Sequence, residues 1–204
     1  MIRRKHYIGL ALVFLAFAAS ACQETEAVGE YDNWEARNDA FIDSIAKVAS
    51  ANADGKWKTI LSFKLEEKDI DGNTTPWSNE NYVYCHVEKS GEGACPLFTD
   101  TVLVNYRGRL IPTTNHPEGL IFDQSFKGEL NSEVNIPFKT CPGAVVVGWS
   151  TVLQKMHVGD TWKVYIPAKL GYGTSSKGSI PAHSALLFDI DLLATYPVGL
   201  EVIQ

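Results

Sequence analysis

The C-terminal two thirds of the chain predicts an α+β domain, an antiparallel sheet carrying one short helix. Three observations lead there. Apolar segments of strand length recur at 82–88, 101–110, 134–138, 161–167 and 186–193, separated by Gly, Pro, Asn and Asp. Residues 161–166 alternate apolar and polar, and 186–191 do so in part, as half-buried strands must. One helical stretch at 148–156 lies among them and ends at the turn His157-Val158-Gly159-Asp160. Such a sheet has to bury one face against the helix.

The elements follow in order from the N-terminus. Arg3, Arg4 and Lys5 precede an apolar run from Ile8 to Ala19, then Ala19-Ser20-Ala21 directly before Cys22. This is the plan of a secretory signal, and the run is short of the roughly 20 residues a membrane span needs. With small residues before it, Cys22 reads as the lipidated first residue of a bacterial lipoprotein. Cleavage near Ala21 with an incidental Cys22 is the plainer alternative. The removed segment holds three basic and no acidic residues, so processing takes the net charge from −6 to −9. Such a surface repels anionic lipid heads, which leaves acyl chains as the anchor. Residues 22–30 read as a polar tether.

A helix is expected from Asp32 or Asn33, either of which can cap it, to about Asn52, with Gly55 beyond its end. Its stripe is Trp34, Phe41, Ile45 and Val48. The stripe is short for a coiled coil, so packing on the same chain is favoured over a homodimer through 33–52. Residues 57–68 read as a strand and 69–81 as a polar turn. Asp69, Asp71, Asn73 and Glu80 have the spacing of a calcium loop, but Thr74 stands where glycine is needed, so a hairpin turn is the better reading. Cys85 and Cys95 flank a turn-like segment. A disulfide between them and unbridged burial are both open.

Composition excludes several functions. The 204 residues are 45% hydrophobic and 21% charged, which suits a folded domain. A net charge of −6 argues against nucleic-acid binding. There is no nucleophile elbow, no phosphate-cradling glycine loop and no histidine pair at metal spacing. Metal and cofactor are expected to be absent. What remains is a reaction that breaks no covalent bond, or binding alone.

Several segments then resemble one family in order. They are Val104-Asn105-Tyr106-Arg107-Gly108, Ile121-Phe122-Asp123-Gln124-Ser125, Val145-Val146-Val147-Gly148-Trp149, Leu170-Gly171-Tyr172-Gly173, Ile180-Pro181-Ala182 and Leu186-Leu187-Phe188-Asp189. Together they resemble the FKBP-type peptidyl-prolyl cis–trans isomerases across residues 97–194, after an N-terminal extension at 31–96 and before a tail at 195–204. The resemblance implies a half-wrapped antiparallel sheet around a short helix, with a pocket between them. It implies catalytic roles for Asp123, Tyr106, Phe122, Trp149, Tyr172 and Phe188, with Trp149 as the floor. Val145, Val146, Ile136 and Ile180 are implied as substrate-binding residues. The Val146 N–H and the Tyr172 hydroxyl would hold peptide carbonyls. The expected partners are proline-containing exported polypeptides, and the expected place is the cell envelope, with the outer membrane favoured. A non-catalytic proline-binding or chaperone lipoprotein, and a lipoprotein with a vestigial pocket, are the alternatives.

Overall fold

The computed structural model describes residues 29–68, 71–128 and 135–199. The signal, Cys22, most of the tether and Asp69 lie outside the described residues. The chain runs α1 (Trp34–Ala51), β1 (Trp57–Leu61), β2 (Tyr82–Lys89), β3 (Thr101–Arg109), β4 (Ile121–Gln124), β5 (Phe138–Thr140), α2 (Val147–Leu153), β6 (Thr161–Ile166) and β7 (Leu186–Tyr196). The strands form one antiparallel sheet in the order β1-β2-β6-β7-β3-β4, with β5 also paired to β3. The expected α+β architecture is therefore present.

Alternation along the strands sends side chains to two helices. Trp162, Val164 and Ile166 of β6 are buried, as are Leu186, Ile190 and Leu192 of β7 and Val83 and Cys85 of β2. They form one core with Trp149, Val152 and Leu153 of α2 and with Met156. Tyr165, between Val164 and Ile166, faces the other way. It stacks on Trp57 at 5.7 Å and meets Phe41 of α1 at 6.3 Å. The sheet is thus held between α2 on one face and α1 on the other.

The path of α2 depends on a glycine. A Cβ on Gly148 would lie 2.4 Å from Ile166 Cγ2. The helix therefore sits as close to β6 as a backbone can. Ser150 anchors its entry, donating its hydroxyl to the Pro142 carbonyl at 2.6 Å.

Several boundaries differ from the sequence reading, each for a local reason. Asn33 is the N-cap of α1, as one of the two expected candidates, but through its backbone carbonyl, which accepts the Arg37 N–H at 3.0 Å. Asn33 is left-handed (φ 51°), which asparagine tolerates, and its side chain makes no capping bond, while Asp32 accepts the Gly29 N–H at 2.7 Å. Val48 is half exposed. The buried line is Trp34, Asn38, Ile42 and Ala49, with Phe41 and Ile45 half buried. The stripe is occupied by the sheet of the same chain.

Strand β1 stops at Leu61, where its partner strand begins at Tyr82, and Leu65 N–H closes a turn onto the Ser62 carbonyl. Of the expected 134–138 strand, Val134 lies outside the described residues, and pairing begins only at Phe138 because Pro137 has no N–H to enter a ladder. Residues 121–124, read as a motif only, form β4. Helix α2 ends at Leu153, and β7 runs on to Tyr196.

The Cys85–Cys95 bridge is absent. Cys85 is in the core, where burial pushes its thiol up, and exposed Cys95 donates to the Gln154 carbonyl at 3.2 Å. Gly72 (φ 83°) and the Lys68–Thr74 bridge fit a hairpin turn, and the described residues hold no group of three or more metal ligands. No helix among them is long and apolar enough to cross a membrane.

Gly148→Ala should lower unfolding free energy by about 1–3 kcal/mol, since the new methyl collides with a fully buried isoleucine. Denaturant titration checks this. A variant as stable as the parent would mean that α2 has slack the structure does not show.

Candidate functional site

Strands β3, β4 and β7 curve beneath the N-terminal end of α2 and leave a hollow of about 400 Å³. Tyr106, Phe122, Asp123, Phe138, Ala144, Val145, Val146, Trp149, Tyr172, Leu186 and Phe188 line it. Eight of the ten residues singled out from the sequence as catalytic or substrate-binding meet here.

Its walls are aromatic rings set edge to face. Tyr106 meets Trp149 at 5.2 Å and 90°, Trp149 meets Phe188 at 5.1 Å and 86°, and Phe122 meets Phe188 at 5.5 Å and 87°. Such contacts favour the ring quadrupoles and fix each ring's tilt. Trp149 is buried at the base, and its indole N–H has no acceptor.

Gly108 makes the wall possible. A Cβ there would stand 2.6 Å from the Phe188 ring and 2.7 Å from that of Phe122. In the sequence, Gly108 stands out only as the last residue of the Val104–Gly108 motif. Its place in a strand rich in larger residues was the available signal.

Asp123 is the one acidic group in the lining. Its Oδ2 accepts the Tyr106 hydroxyl at 2.7 Å and its Oδ1 accepts the Gln124 N–H at 2.9 Å. Asp123 is itself exposed, and both of its oxygens have a donor that fixes its orientation. Ser125 ties this corner down, accepting the Tyr106 N–H at 2.9 Å and donating to Asn105 at 3.3 Å. Burial pushes the Tyr106 phenol well above its ordinary value, and the bond to Asp123 adds to that.

Two expected residues are elsewhere. Ile136 is 80% exposed and does not line the hollow. Phe138 does instead, edge-on to Tyr106 at 5.5 Å. Ile180 is buried in the core, exchanging both backbone bonds with Lys177 at a loop tip. Its part is to support the loop.

The chain is similar to known proteins. Residues 96–193 match the model of the family described as FKBP-type peptidyl-prolyl cis-trans isomerase. The FKBP-type isomerase FkpA of Aeromonas hydrophila is 40% identical over 118 residues, 57% of this chain and 39% of the relative. The 22 kDa FKBP-type isomerase of Escherichia coli K12 is 38% identical over 118 residues, 57% of this chain and 51% of the relative. The outer membrane protein MIP of Legionella longbeachae is 31% identical over 161 residues, 78% of this chain and 53% of the relative. This chain thus spans about half the length, or less, of these curated relatives. The crystal structure of FkpA from Escherichia coli superposes with a TM-score of 0.56 at 28% identity, covering 81% of this chain and 62% of that one.

Alkaline titration tests the burial of the two inner phenols. Tyr84 is pushed up to about 12, by burial first and then by Tyr82 and Asp43. Tyr106 also lies above its ordinary value. The unfolded chain ionises near 10 while the folded one holds these protons, so stability falls as pH climbs past about 10. Absorbance titration of Tyr106→Phe should therefore match the parent up to about pH 11. Loss of one phenolate below that point would show Tyr106 to be open to water.

Proposed function

We propose that the chain catalyses rotation about X–Pro bonds of exported polypeptides, a reading supported by the match of residues 96–193 to the model of the FKBP-type peptidyl-prolyl cis-trans isomerase family. The observation that carries this is the hollow itself, an apolar aromatic cup on an indole floor with a single, hydrogen-bonded carboxylate in its wall.

Rotation about an X–Pro bond has a barrier of about 18–20 kcal/mol, because the twisted amide loses its resonance. The planar amide has more charge separation than the twisted one. An apolar surround therefore disfavours the ground state more than the transition state. Each roughly 1.4 kcal/mol of that difference is tenfold in rate. Trp149, Tyr106 and Phe188 offer ring faces and edges that grip a pyrrolidine by shape. Tyr172, at the exposed rim, is placed to hold a peptide carbonyl through its hydroxyl. Asp123, fixed by Tyr106, sets the local field beside the rotating bond. The chemistry needs no proton transfer and no covalent intermediate.

Apolar side chains also stand exposed on the segments that form the walls, at Ile121, Ile136 and Phe138. They favour a second reading, in which the same cup holds unfolded proline-containing segments. The turnover assay separates the two.

We also propose that the mature chain begins at a lipidated Cys22 and is held in the cell envelope, at the outer membrane. Support comes from the signal-like N-terminus and from the similarity to an outer membrane protein MIP. A homodimer would have to use the outer face of α1, since the inner face packs on the sheet.

In a protease-coupled assay on a short X–Pro peptide, the parent should turn over, and Trp149→Ala and Asp123→Ala should each lose about tenfold or more in kcat/KM while remaining folded. Retained aggregation suppression with no turnover in the parent would leave the holding role alone. In cell fractionation, Cys22→Ala should shift the protein from the membrane pellet to the soluble fraction. Identical partition of parent and variant would remove the anchor from the account.

A further inference from the structure

The Tyr172 side of the cup is held in place from outside the segment that matches the family model. Tyr172 sits on a loop between β6 and β7 that has few strand bonds of its own. Its closing contact is the His183 N–H on the Gly173 carbonyl at 2.8 Å. His183 is left-handed (φ 61°), an uncommon state for a residue with a side chain. The segment from Pro181 to Ala185 therefore has to be held by something else, and α1 does this.

Four hydrogen bonds make the hold. The Trp34 indole N–H donates to Ser184 Oγ at 2.8 Å, in the interior. Ser184 in turn donates to the Pro181 carbonyl at 2.7 Å. Asn38 Oδ1 accepts the Ala185 N–H at 2.8 Å, and its own amide donates back to the Trp34 carbonyl at 2.7 Å. Outside these, Glu35 pairs with His183 Nδ1 at 2.9 Å. Asn38 is 1% exposed and fully satisfied, so losing it strands buried polar groups on both sides.

The segment so gripped has one side bonded to the Tyr172 loop. Its other side runs directly into Leu186 and Phe188, which line the cup. Neither Trp34 nor Asn38 lines the cup. We propose that they are positioning residues, by which the N-terminal helix latches the 181–185 segment and so sets the Tyr172 wall against bound peptide. This rests on the isomerase reading for its kinetic consequence, but the latch itself is a matter of loop order.

The full-length protein tests it. Trp34→Phe keeps the ring and removes only the N–H, and Asn38→Ala removes both amide contacts. Each should raise KM for the X–Pro peptide about fivefold with kcat within about twofold, the pattern of weakened substrate holding. In a Tyr172→Phe background the same changes should add little, because both act through one wall. Ala49→Gly, at the far end of the same helix, should soften α1 without moving KM.

Hydrogen exchange supplies a readout free of turnover. The His183 amide should exchange faster in both latch variants while amides in β6 keep their protection. Unchanged KM in the latch variants, full additivity with Tyr172→Phe, or acceleration spread evenly over the sheet would each overturn the latch. A parent that turns over no X–Pro peptide sinks the isomerase reading, and the exchange arm then decides the latch alone. Should Asn38→Ala fail to fold, Trp34→Phe carries the same readouts.

Discussion

The close seat of α2 on β6 governs the rest of the structure. With Gly148 against Ile166, the helix lies low over the sheet at that point and its N-terminal end overhangs β3 and β7. Close packing interdigitates apolar side chains over most of the contact, as in any protein interior. At the overhang the facing residues are rings too rigid to fill the gap, and the cup remains. A second glycine, Gly108, removes the one strand side chain that would enter between Phe122 and Phe188. The hollow is thus made by two missing methyl groups as much as by the rings around it.

The carboxylate in the wall of the apolar cup is exposed, and what the fold supplies is a fixed orientation. Tyr106 and the Gln124 N–H take one oxygen of Asp123 each, and Ser125 bonds both backbone polar groups of Tyr106. The same phenol thereby serves as a wall and as the carboxylate's donor. Its burial keeps it protonated, hence a donor, across the ordinary pH range. The electrostatics of the cup are therefore fixed before any peptide arrives, which is the condition for a rigid apolar surface to act on an amide.

Much of this was legible in the sequence where a residue type has few other uses. Trp149, Phe122, Asp123 and Phe188 stand in ordered short motifs, and the structure brings them to one hollow. Ile136 was not legible in this way: it stands exposed before Pro137, and Phe138, at the start of β5, lines the cup. Val48 was misread because periodicity alone does not distinguish a helix's buried line from its neighbour 100° away. The line here includes Asn38, a polar residue that a hydrophobic pattern skips. Its place in the core follows from the Ala185 N–H and the Trp34 carbonyl, both supplied by tertiary structure.

The N-terminal residues and the segment that matches the family model are joined more deeply than the boundary between them suggests. Residues 96–193 contain β3 to β6 and most of β7, but β6 has β2 as its other neighbour. Without β2, β6 would expose a row of unpaired backbone groups along Thr161–Tyr165. Val83 and Cys85, both fully buried, would also leave the core beside Val164. On the opposite face, Tyr165 would lose Trp57 and Phe41 together. The unit that buries a complete core therefore includes α1, β1 and β2. The helix that closes the sheet's back is the same one that grips Ser184 and Ala185, so stability and the shape of the cup are set by one element.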